Sequence, residues 1–259
     1  VIKTDFKQIG SSSGRFSSVN PNMQNIPIRG EWGERIRKAF IPRKGFKLVA
    51  ADYSQIEFRV MADISEDSAL LVDFSAQKDI HTATAARILD KKIEEVTSKE
   101  RALGKTMNFA ILFGQTAFGL SRLLKVDQKQ AAEYIDEYFN QYKGVDEYIE
   151  KAKQTALDRG YVQSMLGRTR YISGLSSRNF NVKAAAVREA IDIDEMIEKS
   201  YSGEAHMLLQ IHDELIFEVK EGKVEKFMKD VAEVMKEVVK LKVPLDVHTN
   251  SGDNMAQLK

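Results

Sequence analysis

The chain has 259 residues, 43% hydrophobic and 30% charged, with four Pro and no Cys, a globular composition that excludes collagen, disulfide scaffolds and disordered tails. Without Cys there is no thiolate nucleophile, no Cys-ligated zinc and no iron–sulfur cluster, so any metal must be held by oxygen or imidazole. Thirty-nine basic against thirty-eight acidic residues leave a net charge of +1, so only the distribution of charge can speak for or against a polyanionic partner. No apolar run approaches the roughly 18 residues of a membrane span, and the opening VIKTDFKQIGSSSG lacks the apolar core of a signal peptide. A cytoplasmic or organellar protein without membrane contact is expected.

Residues 1–45 read as a loop-rich entry segment, because SSSGRFSSVNPNMQNIPIRG is dominated by turn formers. FKLVAA reads as a buried strand ending on Asp52, and IEFRVMADI then repeats apolar residues at helical spacing. From about 79 to 160 the pattern is helical, through DIHTATAARIL, SKERALGKTMNFAILFG, DQKQAAEYIDEYFNQY and GVDEYIEKAKQTALDRG. GYVQSMLGRTRYIS alternates like a strand pair around a Gly turn, and NVKAAAVREAIDIDEMIEKSY returns to helix. HMLLQIHDELIFEV reads as a hairpin with His212, Asp213 and Glu214 at its tip. A charged helix, KVEKFMKDVAEVMKEVVKL, and a final strand, VPLDVHT, follow. Strands at both ends with helices between them predict an α+β fold, a sheet domain carrying a helical subdomain.

Asp52 and Asp213 each end an apolar run, where a carboxylate leaves the core and can meet water, a metal or a substrate. Taken alone, either is more readily read as a turn residue or helix cap. As a pair on neighbouring strands they would suit two Mg²⁺ ions, as in phosphoryl transfer. Glu214 is the weaker ligand candidate, since alternation turns it away from Asp213. Arg101, Lys105, Phe109 and Phe113 recur every fourth residue and form a stripe on one helix face. Arg101 to Phe109 spans roughly 12 Å, about the reach of a triphosphate and its sugar. The alternative is an amphipathic helix with buried rings and solvated cations.

DYSQIEFR, the RxxxKxxxF helix, GRFSSVNPNMQNIP and the QIHDE hairpin, each in its expected place, resemble the motifs of family A DNA polymerases, the bacterial DNA polymerase I type. The resemblance implies a right-hand polymerase, with the palm an antiparallel sheet with helices and the fingers a helical subdomain. Residues 1–78 correspond to the palm's entry segment and first catalytic strand, 79–175 to mainly helical fingers, and 176–259 to the second catalytic hairpin with the C-terminal helix and strand. Template-directed DNA synthesis with two Mg²⁺ ions, replaceable by Mn²⁺, is implied, on primer–template DNA with deoxynucleoside triphosphates. Asp52 and Asp213 resemble the catalytic metal-binding carboxylates, completed by the Tyr53 carbonyl. Arg101, Lys105 and His81 resemble the triphosphate contacts. Phe109 matches the ring packed on the incoming sugar and base, with Gln55 and Phe113 beside the nucleotide, and Glu57 the residue that crowds the ribose 2′ position. Arg15, Asn22, Gln24, Arg188, Gln210 and His212 resemble positions that touch the primer–template.

Three departures from the family's pattern stand out. NFAILFG replaces the usual NFGxxYG, so Ala110 stands for a Gly, and Phe113 for a Tyr that would hydrogen-bond Glu57. The thumb and the exonuclease-like domain have no counterpart in these residues and are expected on the same parent chain, which is expected to be monomeric. Between Ile191 and Asp192 about a helix's worth of the family's residues, a PIQGTAAD-like stretch, is missing; a stretch passed over by the numbering is favoured over a genuine deletion, which would remove several buried side chains from behind the hairpin. Two rival functions remain open at this level: a catalytically silent nucleic-acid-binding fragment, and a metal-dependent nuclease using the same aspartates.

Overall fold

A computed structural model describes residues 2–7, 16–28, 30–164, 169–171 (backbone only), 204–211 and 213–258. The entry segment holds more regular structure than its turn-rich composition predicts. Asp5–Lys7 (β1) and Ser17–Val19 (β2) pair antiparallel, and Gly30–Lys38 forms helix α1. The pattern missed α1 because its sequence, GEWGERIRK, carries only two large apolar residues. Exposed Glu31–Arg35 and Glu34–Lys38 pairs at helical spacing (3.9 and 2.5 Å) support it, each adding about 0.2–0.5 kcal/mol.

The predicted strand is Phe46–Tyr53 (β3), followed by α2 (Ile56–Ser65) and a helix absent from the sequence reading, α3 (Ser68–Ser75). The helical stretch resolves into α4 (Ile80–Ile88), α5 (Ser98–Leu112), α6 (Ala117–Leu124), α7 (Gln128–Gln141) and α8 (Lys143–Arg159). Asp67, Asp79, Thr97, Thr116 and Asp127 start α3 to α7, each accepting a backbone N–H with its side chain. Tyr161–Gln163 (β4) and Thr169–Tyr171 (β5) make the small antiparallel pair. Ala205–Ile211 (β6) and Glu214–Lys220 (β7) form the predicted hairpin, and α9 (Val224–Glu237) and β8 (Val247–Gly252) follow. The helix expected over NVKAAAVREAIDIDEMIEKSY and the Ile191–Asp192 junction lie outside the described residues. Among the described residues no helix is long and apolar enough to cross a membrane.

Two compact units divide the chain. Val1–Ile56, Asn181–Lys240 and Leu245–Lys259 make one, Glu57–Phe180 and Leu241–Pro244 the other. The helical unit begins at Glu57 rather than at the expected residue 79, because Phe58 and Met61 of α2 and Leu70 and Phe74 of α3 share one buried cluster with Met107, Leu120 and Tyr142.

The first unit is a four-stranded antiparallel sheet in the order β6–β7–β3–β8. On one face Leu48, Ala50, Leu209 and Ile216 pack with Met255 and Leu258. On the other, α9 lies against the sheet, with the Phe217 and Phe227 ring centroids 5.1 Å apart and the Tyr53 hydroxyl donating to the Met235 carbonyl at 2.6 Å. Because side chains alternate, Asp52 falls on the face of Leu48 and Ala50, and Tyr53 on the α9 face.

Candidate active site

In the sheet unit, β3 and β7 pair with Asp52 opposite Glu214, and the next residues are tied by a Tyr53 N–H to Asp213 carbonyl hydrogen bond of 3.4 Å. Asp52 and Asp213 therefore sit side by side at one end of adjacent strands. Directly paired residues share a face, so Glu214 lies on the face of Asp52 and is buried, 4% exposed. Asp213 belongs to the turn before β7, where strand alternation does not fix its direction. Gln55 occupies the tight turn from β3 into α2 with φ of +55°, a left-handed conformation that costs a side-chain-bearing residue about 1 kcal/mol or more.

Of the expected primer–template residues, Gln24 and Gln210 are brought together: the Gln24 carboxamide donates to the Gln210 carbonyl at 3.1 Å. Asn22 accepts the Gln24 N–H at 3.0 Å, which starts the short turn Met23–Asn25. Arg15, Arg188 and His212 lie outside the described residues.

In the helical unit, α5 starts with a reciprocal cap between Thr97 and Glu100. Hydrogen bonds from Lys91, then from Thr97, hold the Glu100 carboxyl down at about 2. One turn on, Arg101 grips Asp79 with both edge nitrogens, Nε to Oδ1 at 3.0 Å and Nη2 to Oδ2 at 2.8 Å. Nη1 is not part of that grip, so the opposite edge of the guanidinium can face a phosphate. Burial pushes the Asp79 carboxyl up, but hydrogen bonds from Arg101 and Thr82 outweigh it and keep it well below the usual carboxylate range. Lys105 is exposed, and a cleft of about 290 Å³ runs beside it, lined by Phe109, Ala110, Phe113 and Gln115 among others. The Phe109 and Phe113 rings stack with centroids 6.0 Å apart, and Phe113 is 51% exposed, so the cleft has an aromatic wall. Glu57 is half-buried at the start of α2.

His81 on α4 is 4% exposed and packs against the Phe58 and Phe109 rings at 5.6 and 5.9 Å, the two rings also touching each other at 5.1 Å. Burial first, then the charges of Arg101 and Lys105, pull its pKa down to about 4 against the opposing effect of Asp79, so the ring is neutral at pH 7. The approach of α4 to α5 depends on Gly104: a Cβ there would lie 2.2 Å from the His81 carbonyl oxygen and 2.9 Å from the Ala85 nitrogen. Sequence reasoning missed Gly104, Asp79 and Asn108. Their one signal was position, one residue before Lys105, two before His81 and one before Phe109.

The resemblance to family A polymerases implies a divalent cation, and the donors fit one. Asp52, Asp213 and the Tyr53 carbonyl are hard oxygen ligands, while the Tyr53 hydroxyl is committed to Met235. Among the described residues no three His, Asp or Glu side chains converge as a preformed metal cluster. Mg²⁺ does not require one, since it is commonly bound by one or two carboxylates together with water and substrate phosphates.

A family model described as DNA polymerase family A matches residues 1–257. DNA polymerase I of Bacillus caldotenax is 41% identical over 275 residues, covering 100% of this chain and 31% of that protein. DNA polymerase I of Pseudomonas aeruginosa is 38% identical over 270 residues, covering 98% of this chain and 30% of that protein. The chain thus spans under a third of the length of these relatives. The solved POL domain of Pol1 from M. smegmatis, in complex with DNA primer-template and dNTP, superposes with a TM-score of 0.90 at 36% identity, over 98% of this chain and 48% of that one.

Proposed function

Because the chain belongs to DNA polymerase family A, we propose that it catalyses template-directed DNA synthesis, joining a primer 3′-hydroxyl to the α-phosphate of a deoxynucleoside triphosphate with release of pyrophosphate. The observation that carries this reading is the α5 face, where Lys105 and Phe109 line one cleft and Arg101 and His81 stand on the same helix pair. A cation at one end and stacked rings at the other match a nucleotide's charged and aromatic halves, and a nuclease has no need of such a helix.

In this reading Lys105, Arg101 and the neutral His81 bind the triphosphate, with Lys105 neutralising charge that grows on the departing pyrophosphate. Phe109 packs against the sugar and base, and Glu57 fills the space a ribose 2′-hydroxyl would need. Asp52, Asp213 and the Tyr53 carbonyl hold Mg²⁺, or Mn²⁺ in its place, as a pair of ions. Bound there, such ions supply charge stabilisation to the attacking and leaving oxygens. Gln24 and Gln210 contact the primer–template, and the parent chain acts as a monomer and carries the remaining polymerase domains.

The test is extension of a short primer–template by this chain with four dNTPs and Mg²⁺, run beside a gel-shift assay on the same DNA. Chelator-sensitive extension supports the proposal. Binding without extension would instead make the chain a silent nucleic-acid-binding module.

A further inference from the structure

Behind His81 runs a buried line of hydrogen bonds that the phosphate-binding role does not by itself require. Arg87, ion-paired with the fully buried Asp73, donates from Nη1 to the Tyr142 hydroxyl at 3.0 Å. A guanidinium can only donate, so the Tyr142 oxygen accepts and its own proton points onward to Thr84 Oγ1, 2.9 Å away. Thr84 Oγ1 stands 3.2 Å from Asn108 Oδ1 and 3.0 Å from Nδ2, within reach of both ends of the carboxamide, whereas the Tyr138 hydroxyl donates to Oδ1 at 3.1 Å. Among the described residues that oxygen is the only acceptor within reach of the buried Tyr138 O–H. The Tyr138 proton thus fixes which end of the Asn108 side chain, 0% exposed, is the oxygen. Its nitrogen end then carries one hydrogen toward Thr84 Oγ1 at 3.0 Å and the other toward Nδ1 of His81, 3.2 Å away. A carboxamide N–H needs an acceptor, so Nδ1 carries no proton.

We propose that Asn108 is a positioning residue that fixes His81 as a neutral imidazole with its proton on Nε2, so that His81 meets a phosphate oxygen only as a hydrogen-bond donor. Among the described residues no hydrogen bond reaches Nε2 from the protein. The orientation comes from Tyr138 on α7, with Thr84 of α4 bridging both ends of the carboxamide, so the state of a ring beside the nucleotide cleft is set by a hydroxyl remote from it. The charged groups facing the ring are Asp79 at the start of α4 and Arg101 and Lys105 on α5, while α2 contributes only the Phe58 ring. The low pKa of about 4 is what a ring held neutral in this company requires. Nucleotide binding should therefore carry no His81 titration between about pH 6 and 8.

The proposal deepens the polymerase reading of the same site, and the test separates the two. Nitrogen-15 NMR of the ¹⁵N-histidine-labelled full chain, with His81 assigned by His81→Gln, should show Nδ1 unprotonated and Nε2 protonated from pH 6 to 8. A proton on Nδ1 overturns the assignment whatever the activity. In Asn108→Asp the carboxylate can only accept, which moves the proton to Nδ1. The apparent KM for dNTP should then rise about fivefold at pH 8, the worth of one hydrogen bond, and fall back toward wild type at lower pH as the imidazolium regains Nε2–H. An Asn108→Asp enzyme with a wild-type, pH-independent KM overturns the proposal. Tyr138→Phe removes the hydroxyl that holds Asn108 Oδ1 while keeping the ring, and should give mixed tautomers by NMR even where Asn108→Asp does not fold; an unchanged spectrum overturns the role of Tyr138. A chain with the Nε2 proton in place that extends no primer keeps the tautomer and removes the polymerase reading.

Discussion

Asp52 stands directly across the β3–β7 ladder from Glu214, and the two carboxylates share a face of the sheet although only Asp52 reaches solvent. Burial sorts them: a ligand for a hydrated cation must keep contact with water, and Glu214 does not.

Asp52→Asn and Asp213→Asn should each cut primer extension by about 1000-fold or more with the melting temperature almost unchanged, because each removes an oxygen ligand without removing core volume. Glu214→Gln should cost much less activity. Steady-state extension rates paired with thermal melts check this, and an aspartate variant within tenfold of wild type would remove the metal assignment.

Lys105→Ala should raise the apparent KM for dNTP and lower kcat together, about 100-fold in kcat/KM. Arg101→Ala should act mainly on KM, since half of its guanidinium is already engaged by Asp79. Initial rates over a range of dNTP concentrations separate the two patterns; equal and unchanged kinetics would return both cations to the role of solvated surface charge.

The neutral, buried His81 makes stability depend on pH with a definite sign. Its folded pKa of about 4 lies below the ordinary 6.5, so below pH 6.5 the unfolded chain binds the proton more readily. Stability from this ring is fully present above pH 6.5 and is lost as pH falls toward 4, by on the order of 3 kcal/mol. Urea melts of wild type and His81→Gln between pH 4 and 7 should converge at the acid end. Parallel curves would mean that the ring protonates as easily folded as unfolded.

Gly104→Ala should destabilise the helical unit by about 1–3 kcal/mol, although Ala is the better helix former by about 1 kcal/mol. The added methyl would meet backbone atoms of α4, the His81 carbonyl oxygen at 2.2 Å foremost, and backbone cannot swing aside as a side chain can. Denaturant midpoints read this directly, and a variant at least as stable as wild type would show that α4 yields freely.

What the sequence revealed and concealed follows from the range of the interactions involved. β3 was readable because FKLVAADY holds a continuous apolar stretch, a central strand covered by Met255 and Leu258 on one face and by α9 on the other. The last strand was placed too early, on VPLDVHT, since Pro244 offers no N–H to a ladder and the observed β8 is a polar edge strand visible only through its register with β3. Helix α1 has too few apolar residues to show a period. The cation and ring stripe of α5 was local and therefore legible. Asn108 carried no local signal, because the group that orients it, Tyr138, comes from 30 residues further along. Asp79 caps α4, and its second task depends on Arg101, 22 residues away in the chain.

The missing side chain at Gly104 has a mechanical consequence. With bare backbone of α5 against backbone of α4, no soft layer of methyl and methylene groups separates the two helices at that point, so neither can slide or roll without the other. Arg101, Lys105 and Phe109 on one helix and His81 on its neighbour thus travel as a single rigid tool. Any motion that brings the cations to a triphosphate delivers the imidazole in the same stroke, already in register.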